Sequence, residues 1–182
     1  LSLDERINFL HGPLKGNPQS CMPPKAECAY VGNVAPNLRL KIPPLTLNDG
    51  PQGFRDPAHP GTSTAWPSGL TMAASWDVAA LEEWGKGMGK EFYAKGSNVQ
   101  LGPGLCLARV PRCGRNFEYL SGEDPMLGHI LVQPAVRGIQ SQGVIANAKH
   151  WVLNNQETNR MGVWEEADER TRFELYYPPF AG

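Results

Sequence analysis

The sequence has no run of about 18 consecutive apolar residues, so no helix able to cross a bilayer is expected. It also lacks charge bias. Seventeen basic side chains stand against 18 acidic ones, a net charge of −1, which gives no electrostatic reason to expect nucleic acid or an anionic membrane surface as partner. Phosphate loops are missing: there is no Gly-x-Gly-x-x-Gly and no Walker-type loop, and "GPGLC" is only a weak look-alike. No Gly-x-Ser-x-Gly elbow occurs, and no His, Cys and carboxylate spacing suits a metal site. No Asn-x-Ser/Thr acceptor occurs, which weakens a secretory reading. No signal peptide is visible, because "LSLDERINFLHG" already reads as an amphipathic helix. The first residue is not Met, so the chain is expected to start inside a longer product.

What remains is a chain of 182 residues, 41% hydrophobic and 19% charged, enough for one globular domain with a core. Its 20 Gly and 17 Pro concentrate in two long irregular stretches, residues 12–43 and 103–125. Loops of that length in a compact domain are often functional. Four cysteines form two Cys-x6-Cys pairs, Cys21/Cys28 and Cys106/Cys113, a spacing that fits no standard zinc site. Two local disulfides in an oxidising compartment are expected, each contributing roughly 2–3 kcal/mol. Free thiols, or pairing between the two loops, are the alternatives.

The pattern predicts a helix over residues 3–10, with a capping box at Ser2 and Glu5 and an apolar face of Leu3, Ile7 and Leu10. A short strand over 44–47 ends at Asn48-Asp49-Gly50. A helix over 77–95 follows from the spacing of Leu81, Trp84, Met88 and Phe92, with Gly96 as its stop. A strand over 98–102 comes next. Asp124-Pro125 opens a helix to about residue 142, kinked at Pro134. A strand over 143–148 and a helix over 165–177, stopped by Pro178-Pro179, complete the chain. Three rounds of strand, loop and helix argue a parallel α/β sheet. Three strands cannot close a barrel, so a part of a larger (β/α) barrel or doubly wound sheet is expected.

In parallel α/β folds, sites form at the carboxyl ends of the strands. The first strand ends at Asn48-Asp49. The second feeds a loop with Arg109, Arg112, Arg115, Asn116 and Glu118. The third ends at Lys149-His150, followed by Asn154, Asn155, Gln156 and Glu157. One sheet edge therefore collects an acid, several arginines, a lysine and a histidine. Plain structural readings stand beside this one. Asn-Asp-Gly-Pro is strong turn sequence, Arg115 fits a surface role, and Lys149 and His150 point to opposite sides if the strand runs through both. Glu157 and its carboxamide neighbours suit caps or loops, and Trp66, Trp76, Trp84 and Trp151 suit packing. The mixture of guanidinium donors, carboxylate acceptors and carboxamides suits the vicinal hydroxyls of a sugar, each of which both donates and accepts. A phosphate would want mostly donors.

The segments "LTLNDGPQGFR", "TAWPSGLTMAASWD", "GPGLCLARVPRCGRNFEYLSGEDPMLG", "GIQSQGVIANAKHWVLNNQETNR" and "DERTRFELYYPPF" resemble family 3 glycoside hydrolases, the β-glucosidase and β-xylosidase group. The resemblance covers nearly the whole chain. It implies a partial (β/α)8 TIM-like barrel of about three βα units plus an N-terminal helix and long loops. In that family an α/β sandwich domain follows the barrel, and residues 1–182 are expected to be an incomplete barrel domain. The implied reaction is retaining hydrolysis of a β-glycosidic bond from the non-reducing end, most like a β-glucosidase, with no metal and no organic cofactor. The implied partners are a β-linked glucoside or oligosaccharide and the remainder of the chain's own polypeptide, in an extracellular or lumenal setting.

The resemblance also implies residue roles. Asp49 would accept hydrogen bonds from sugar hydroxyls, and Arg55 would support it. Arg115 would bind a hydroxyl. Lys149 and His150 would be paired donors to neighbouring hydroxyls. No catalytic residue is implied within the chain: the family's nucleophile lies in a Ser-Asp-Trp-like motif that does not occur here, and its acid/base usually lies in the second domain. Asp49 and Glu157 as a substitute pair would need carboxyl groups about 5–5.5 Å apart, but the resemblance gives Asp49 a binding role. Many relatives lack cysteine in the Cys106–Cys113 loop. A bridge there would brace the loop that presents Arg115. A relative that keeps the sugar subsite without catalysis, as a binding or structural component, is the alternative.

Overall fold

A computed structural model describes residues 1–10 and 30–182. Cys21 and Cys28 lie outside the described residues. Helix α1 (Leu3–Phe9) starts at the expected capping box: the Ser2 hydroxyl accepts the Glu5 N–H, and the Glu5 carboxylate accepts the Ser2 N–H at 2.7 Å. Arg39 ties it down through two hydrogen bonds to Glu5, at 2.8 and 2.6 Å. Its apolar face remains largely exposed.

One four-stranded sheet organises the rest, in the order β1 (Gly32–Val34), β2 (Leu45–Asp49), β3 (Val99–Leu101), β4 (Ile145–Ala146). Strands β2, β3 and β4 run parallel, and β1 adds antiparallel to the outer edge of β2. The β1 strand falls inside a stretch expected to be irregular. A three-residue strand leaves too little period-two pattern to read. In register, Leu47, Val99 and Ile145 form one row and Asn48, Gln100 and Ala146 the next, so Asp49 and Leu101 end their strands side by side. Gly50 turns the chain immediately after Asp49 with φ +149°, and a Cβ there would lie 1.6 Å from the Gly53 carbonyl oxygen.

Helix α2 (Gly69–Ala73), also unforeseen, is capped by Ser68. Helix α3 (Val78–Ala94) is capped by Asp77, whose carboxylate accepts the Ala80 N–H at 3.0 Å. Helix α4 (Pro125–Gln140) is capped by Asp124, and Pro134 sits inside it without dividing it. The last expected helix is broken up. Asp168 binds both the N–H and the hydroxyl of Thr171, so α5 (Glu169–Thr171) starts there rather than at residue 165. It widens at once into a π turn (Arg172–Tyr176), closed by Tyr177 N–H donating to the Arg172 carbonyl at 2.9 Å, and ends in a 3-10 turn (Pro178–Phe180).

The main core lies between α3 and α4: Leu81, Trp84 and Met88 meet Leu131, Val132 and Ala135, with Leu105 and Leu120 from the loop after β3. A second cluster joins Phe54, Phe92, Ile139 and Val144, with Phe54 edge-on to Phe92 at 5.2 Å. The parallel strands and the helices that follow them thus give the α/β order expected of a partial TIM-like barrel, with α3 and α4 packed on each other beside the sheet.

Candidate functional site

The carboxyl ends of the parallel strands border an open cleft of about 730 Å3. Asp49, Arg55, Arg115, Lys149 and His150 all line it, joined by Asn147, Glu157 and Arg160. Arg109 and Arg112, which share the loop with Arg115, do not. Of the four tryptophans considered, none lines the cleft. Trp66 donates to Glu91 at 2.9 Å, Trp84 is buried, and exposed Trp151 stacks on Tyr177 at 4.8 Å.

Fully buried Asn48 positions the first arm. Its carbonyl oxygen accepts the Arg55 N–H at 3.0 Å and its amide donates to the Arg55 carbonyl at 2.9 Å. This clamp folds the turn back so that the Arg55 guanidinium lies 3.6 Å from the Asp49 carboxylate. The turn reading and the site reading of Asn-Asp-Gly-Pro both hold, because the turn starts where the carboxylate is delivered.

Beyond β4, the Lys149 N–H donates to the Pro103 carbonyl at 3.0 Å, and the Leu105 N–H donates to the Lys149 carbonyl at 2.6 Å. Lys149 is only 8% exposed and donates to Asp49 at 2.6 Å. The condition for Lys149 and His150 to point to opposite sides is not met: β4 ends at Ala146, so the period-two rule does not govern them, and both line the cleft. Arg115 is held by two carboxylates. Its Nε donates to buried Glu118 and its Nη1 donates to Glu157 at 3.2 Å, while Nη2 lies 3.5 Å from His150 Nε2.

Charge is distributed so that Asp49 and Glu157 are held ionised and the His150 imidazole is held neutral. Burial works to raise the Asp49 pKa, but the Lys149 hydrogen bond and charge, with Arg55 and Arg115, outweigh it and hold the carboxyl below its ordinary value. Glu157 is likewise held down against desolvation, by Arg115 and Arg160. Neither suits a proton donor, which needs a raised pKa. Burial, then the charges of Lys149 and Arg115, push His150 from 6.5 down to about 4.

A pH dependence of stability follows. Between about 6.5 and about 4 the unfolded chain binds a proton at His150 that the folded chain does not, so stability falls as pH drops through that window. The depressed carboxyls of Asp49 and Glu157 act in the same direction at lower pH, since they resist protonation only when folded. The denaturation midpoint is therefore expected to fall between about pH 7 and about pH 5, and to fall less in His150→Gln. Equal sensitivity in the two proteins would show that His150 is not the group responsible.

The expected bridge between Cys106 and Cys113 is absent: both are buried free thiols. Each is committed to the backbone of the segment that follows Lys149. Cys106 Sγ accepts the His150 N–H at 3.2 Å, and Cys113 donates to the Asn154 carbonyl at 3.8 Å. The loop carrying Arg115 is braced by these contacts instead. The argument for an oxidising compartment then rests on Cys21 and Cys28 alone.

Sequence reading gave no role to Tyr119 or to the Asn48 side chain, counted Glu118 only among the polar residues of its loop, and cast Cys106 as half of a bridge rather than as a neighbour of His150. Glu118, three residues past Arg115, was visible as a neighbour. Tyr119 and Cys106 reach His150 across 31 and 44 positions, and nothing local signals such a contact.

Comparison with known proteins matches this geometry to one group. Residues 25–180 match the glycosyl hydrolase family 3 N terminal domain. Thermostable beta-glucosidase B of Acetivibrio thermocellus is 42% identical over 154 residues, covering 80% of this chain and 20% of that protein. Probable beta-glucosidase F of Aspergillus fumigatus is 44% identical over 158 residues, covering 83% and 18%. The chain thus spans about one fifth of the length of these curated relatives. Among solved structures, beta-glucosidase 3B from Thermotoga neapolitana in complex with alpha-D-glucose superposes with a TM-score of 0.84 at 40% identity, over 99% of this chain and 26% of that one. DesR, a beta-glucosidase from Streptomyces venezuelae in complex with D-glucose, gives a TM-score of 0.85 at 36% identity, over 99% and 21%. By this match and by its fold, the chain belongs to glycosyl hydrolase family 3.

Proposed function

We propose that this chain supplies the part of a retaining exo-β-glucosidase that grips the terminal sugar, with Asp49, Arg55, Arg115, Lys149 and His150 as the sugar-binding residues. The observation that carries the reading is the Asp49–Lys149 pair at 2.6 Å, set beside three further polar groups around one cleft. An ionised acceptor next to an ammonium donor is a ready partner for two adjacent hydroxyls, each of which gives one hydrogen bond and takes another. Contacts to hydroxyls that tighten as the ring flattens toward an oxocarbenium ion lower the barrier rather than only binding substrate. In this reading the nucleophile and the acid/base are carried by parts of the enzyme other than these 182 residues, as are the rest of the barrel and an α/β sandwich domain. Its proposed setting is extracellular or lumenal.

The test is the full-length protein on aryl β-glucosides, with NMR of the first anomer released. Hydrolysis with retention is expected. Glucose binding without turnover would favour a carbohydrate-binding component that has lost catalysis, and neither binding nor turnover would end the reading.

A further inference from the structure

His150 is enclosed by groups whose donor and acceptor roles are nearly all fixed by chemistry. On the cleft side stands Arg115, with Nη2 3.5 Å from His150 Nε2. A guanidinium has only donors. On the buried side, the hydroxyl of Tyr119 lies 3.3 Å from Nδ1, and the Tyr119 ring meets the imidazole edge-on at 5.9 Å. Tyr119 is fully buried, and burial raises its pKa, so it stays a phenol. Burial and the cations at Lys149 and Arg115 keep the imidazole neutral at neutral pH, and a neutral imidazole has one N–H and one lone pair.

Arg115 decides between the two tautomers, because only one of them offers it a lone pair. Arg115 donates to a bare Nε2. The Nδ1–H then has the Tyr119 oxygen at 3.3 Å and the Cys106 sulfur at 3.8 Å as takers, and the Cys106 thiol donates to the His150 carbonyl at 3.4 Å. The opposite tautomer sets Nε2–H against the guanidinium N–H groups, donor facing donor. We propose that His150 meets the cleft as a hydrogen-bond acceptor, protonated on Nδ1, and that buried Tyr119 is the positioning residue that takes this proton.

The assignment revises the expected pair of donors. Lys149 gives a hydrogen bond and His150 takes one, so the two neighbours address a hydroxyl-bearing ligand with opposite polarity. A ligand hydroxyl donates to Nε2 in place of Arg115, whereas a carboxylate or phosphate oxygen there would face a lone pair. This consequence for ligand choice rests on the proposed sugar-binding function. The tautomer itself does not.

Two-bond 15N correlation spectra of the full-length protein, labelled with 15N-histidine, read the proton's position directly. A His150→Gln variant identifies the signal. The ligand-free protein is expected to show a protonated Nδ1 and a bare Nε2. Tyr119→Phe is expected to shift the population toward Nε2–H and to weaken glucose binding by about tenfold, the worth of one hydrogen bond. Cys106→Ser, which keeps a donor and an acceptor in the chain, should retain the wild-type tautomer. A wild-type protein carrying its proton on Nε2 overturns the proposal. So does an unchanged tautomer in folded Tyr119→Phe. If Tyr119→Phe does not fold, the wild-type spectrum still decides the tautomer, and loss of the Nδ1–H form in Cys106→Ser would overturn the part given to Tyr119. Absence of glucose binding in wild type, with the Nδ1–H form present, would count against the sugar-binding reading and leave the tautomer standing.

Discussion

Replacing Asp49 by alanine is expected to lower kcat/KM of the full-length protein on an aryl β-glucoside by about a thousandfold. A carboxylate that takes two charge-assisted hydrogen bonds from a substrate contributes roughly 4 kcal/mol when both strengthen in the transition state. The loss should appear mainly in kcat, because ground-state contacts are the smaller part. Folding must be checked in parallel. Lys149 is 8% exposed and loses its partner in this variant, and an unpaired buried charge costs about 3–5 kcal/mol. Asp49→Asn separates the two effects. It keeps an oxygen for Lys149 and preserves the turn, but its amide offers a neutral acceptor to the ligand. A folded Asp49→Asn protein with near-normal kcat/KM would show that Asp49 only ends a strand and starts a turn.

The second large effect is on stability and lies away from the cleft. Helices α3 and α4 approach through glycines. A Cβ on Gly138 would lie 2.3 Å from the Glu82 carbonyl oxygen and 2.8 Å from the Lys86 nitrogen, and one on Gly85 would lie 2.5 Å from the Ala135 carbonyl oxygen. These are backbone atoms of the facing helix, so no side-chain rotation relieves the overlap. Helix propensity alone predicts that Gly138→Ala stabilises by up to about 1 kcal/mol. The close approach predicts the reverse sign, a loss of about 3 kcal/mol, because the helices must separate and loosen Leu81, Trp84 and Met88 against Leu131 and Ala135. Chemical denaturation compares the two directly. A raised midpoint would mean that the helices pack without this contact.

The elements legible in the sequence are those whose cause is local. Ser2 and Asp124 cap the helices they were expected to open, and Asp77 caps α3 in the same way, since a side chain reaching two or three residues forward is a sequence-level event. The amphipathic spacing of α3 survived intact: Leu81, Trp84, Met88 and Phe92 are all buried. The short elements were missed or misplaced. Strand β1 and helix α2 are three and five residues long, too short for a period to show. The helix expected over 165–177 became three different turns: the Asp168 cap starts it at Glu169, and it widens into a π turn before the Pro178-Pro179 stop.

The site divides in the same way. By itself the sequence determined the family likeness and the parallel α/β order. It also placed Asp49, Arg115, Lys149 and His150 after strands, because strand ends and turn residues follow from patterns a few residues wide. Only the tertiary structure decided that Lys149 bonds Asp49, that Arg115 is shared between Glu118 and Glu157, and that the Cys106 and Cys113 thiols turn to the backbone rather than to each other. The physical reason is range. Local patterning sets where a strand stops, whereas the partner of a buried charge or thiol is whichever group the packing of distant segments delivers within about 3 Å of it.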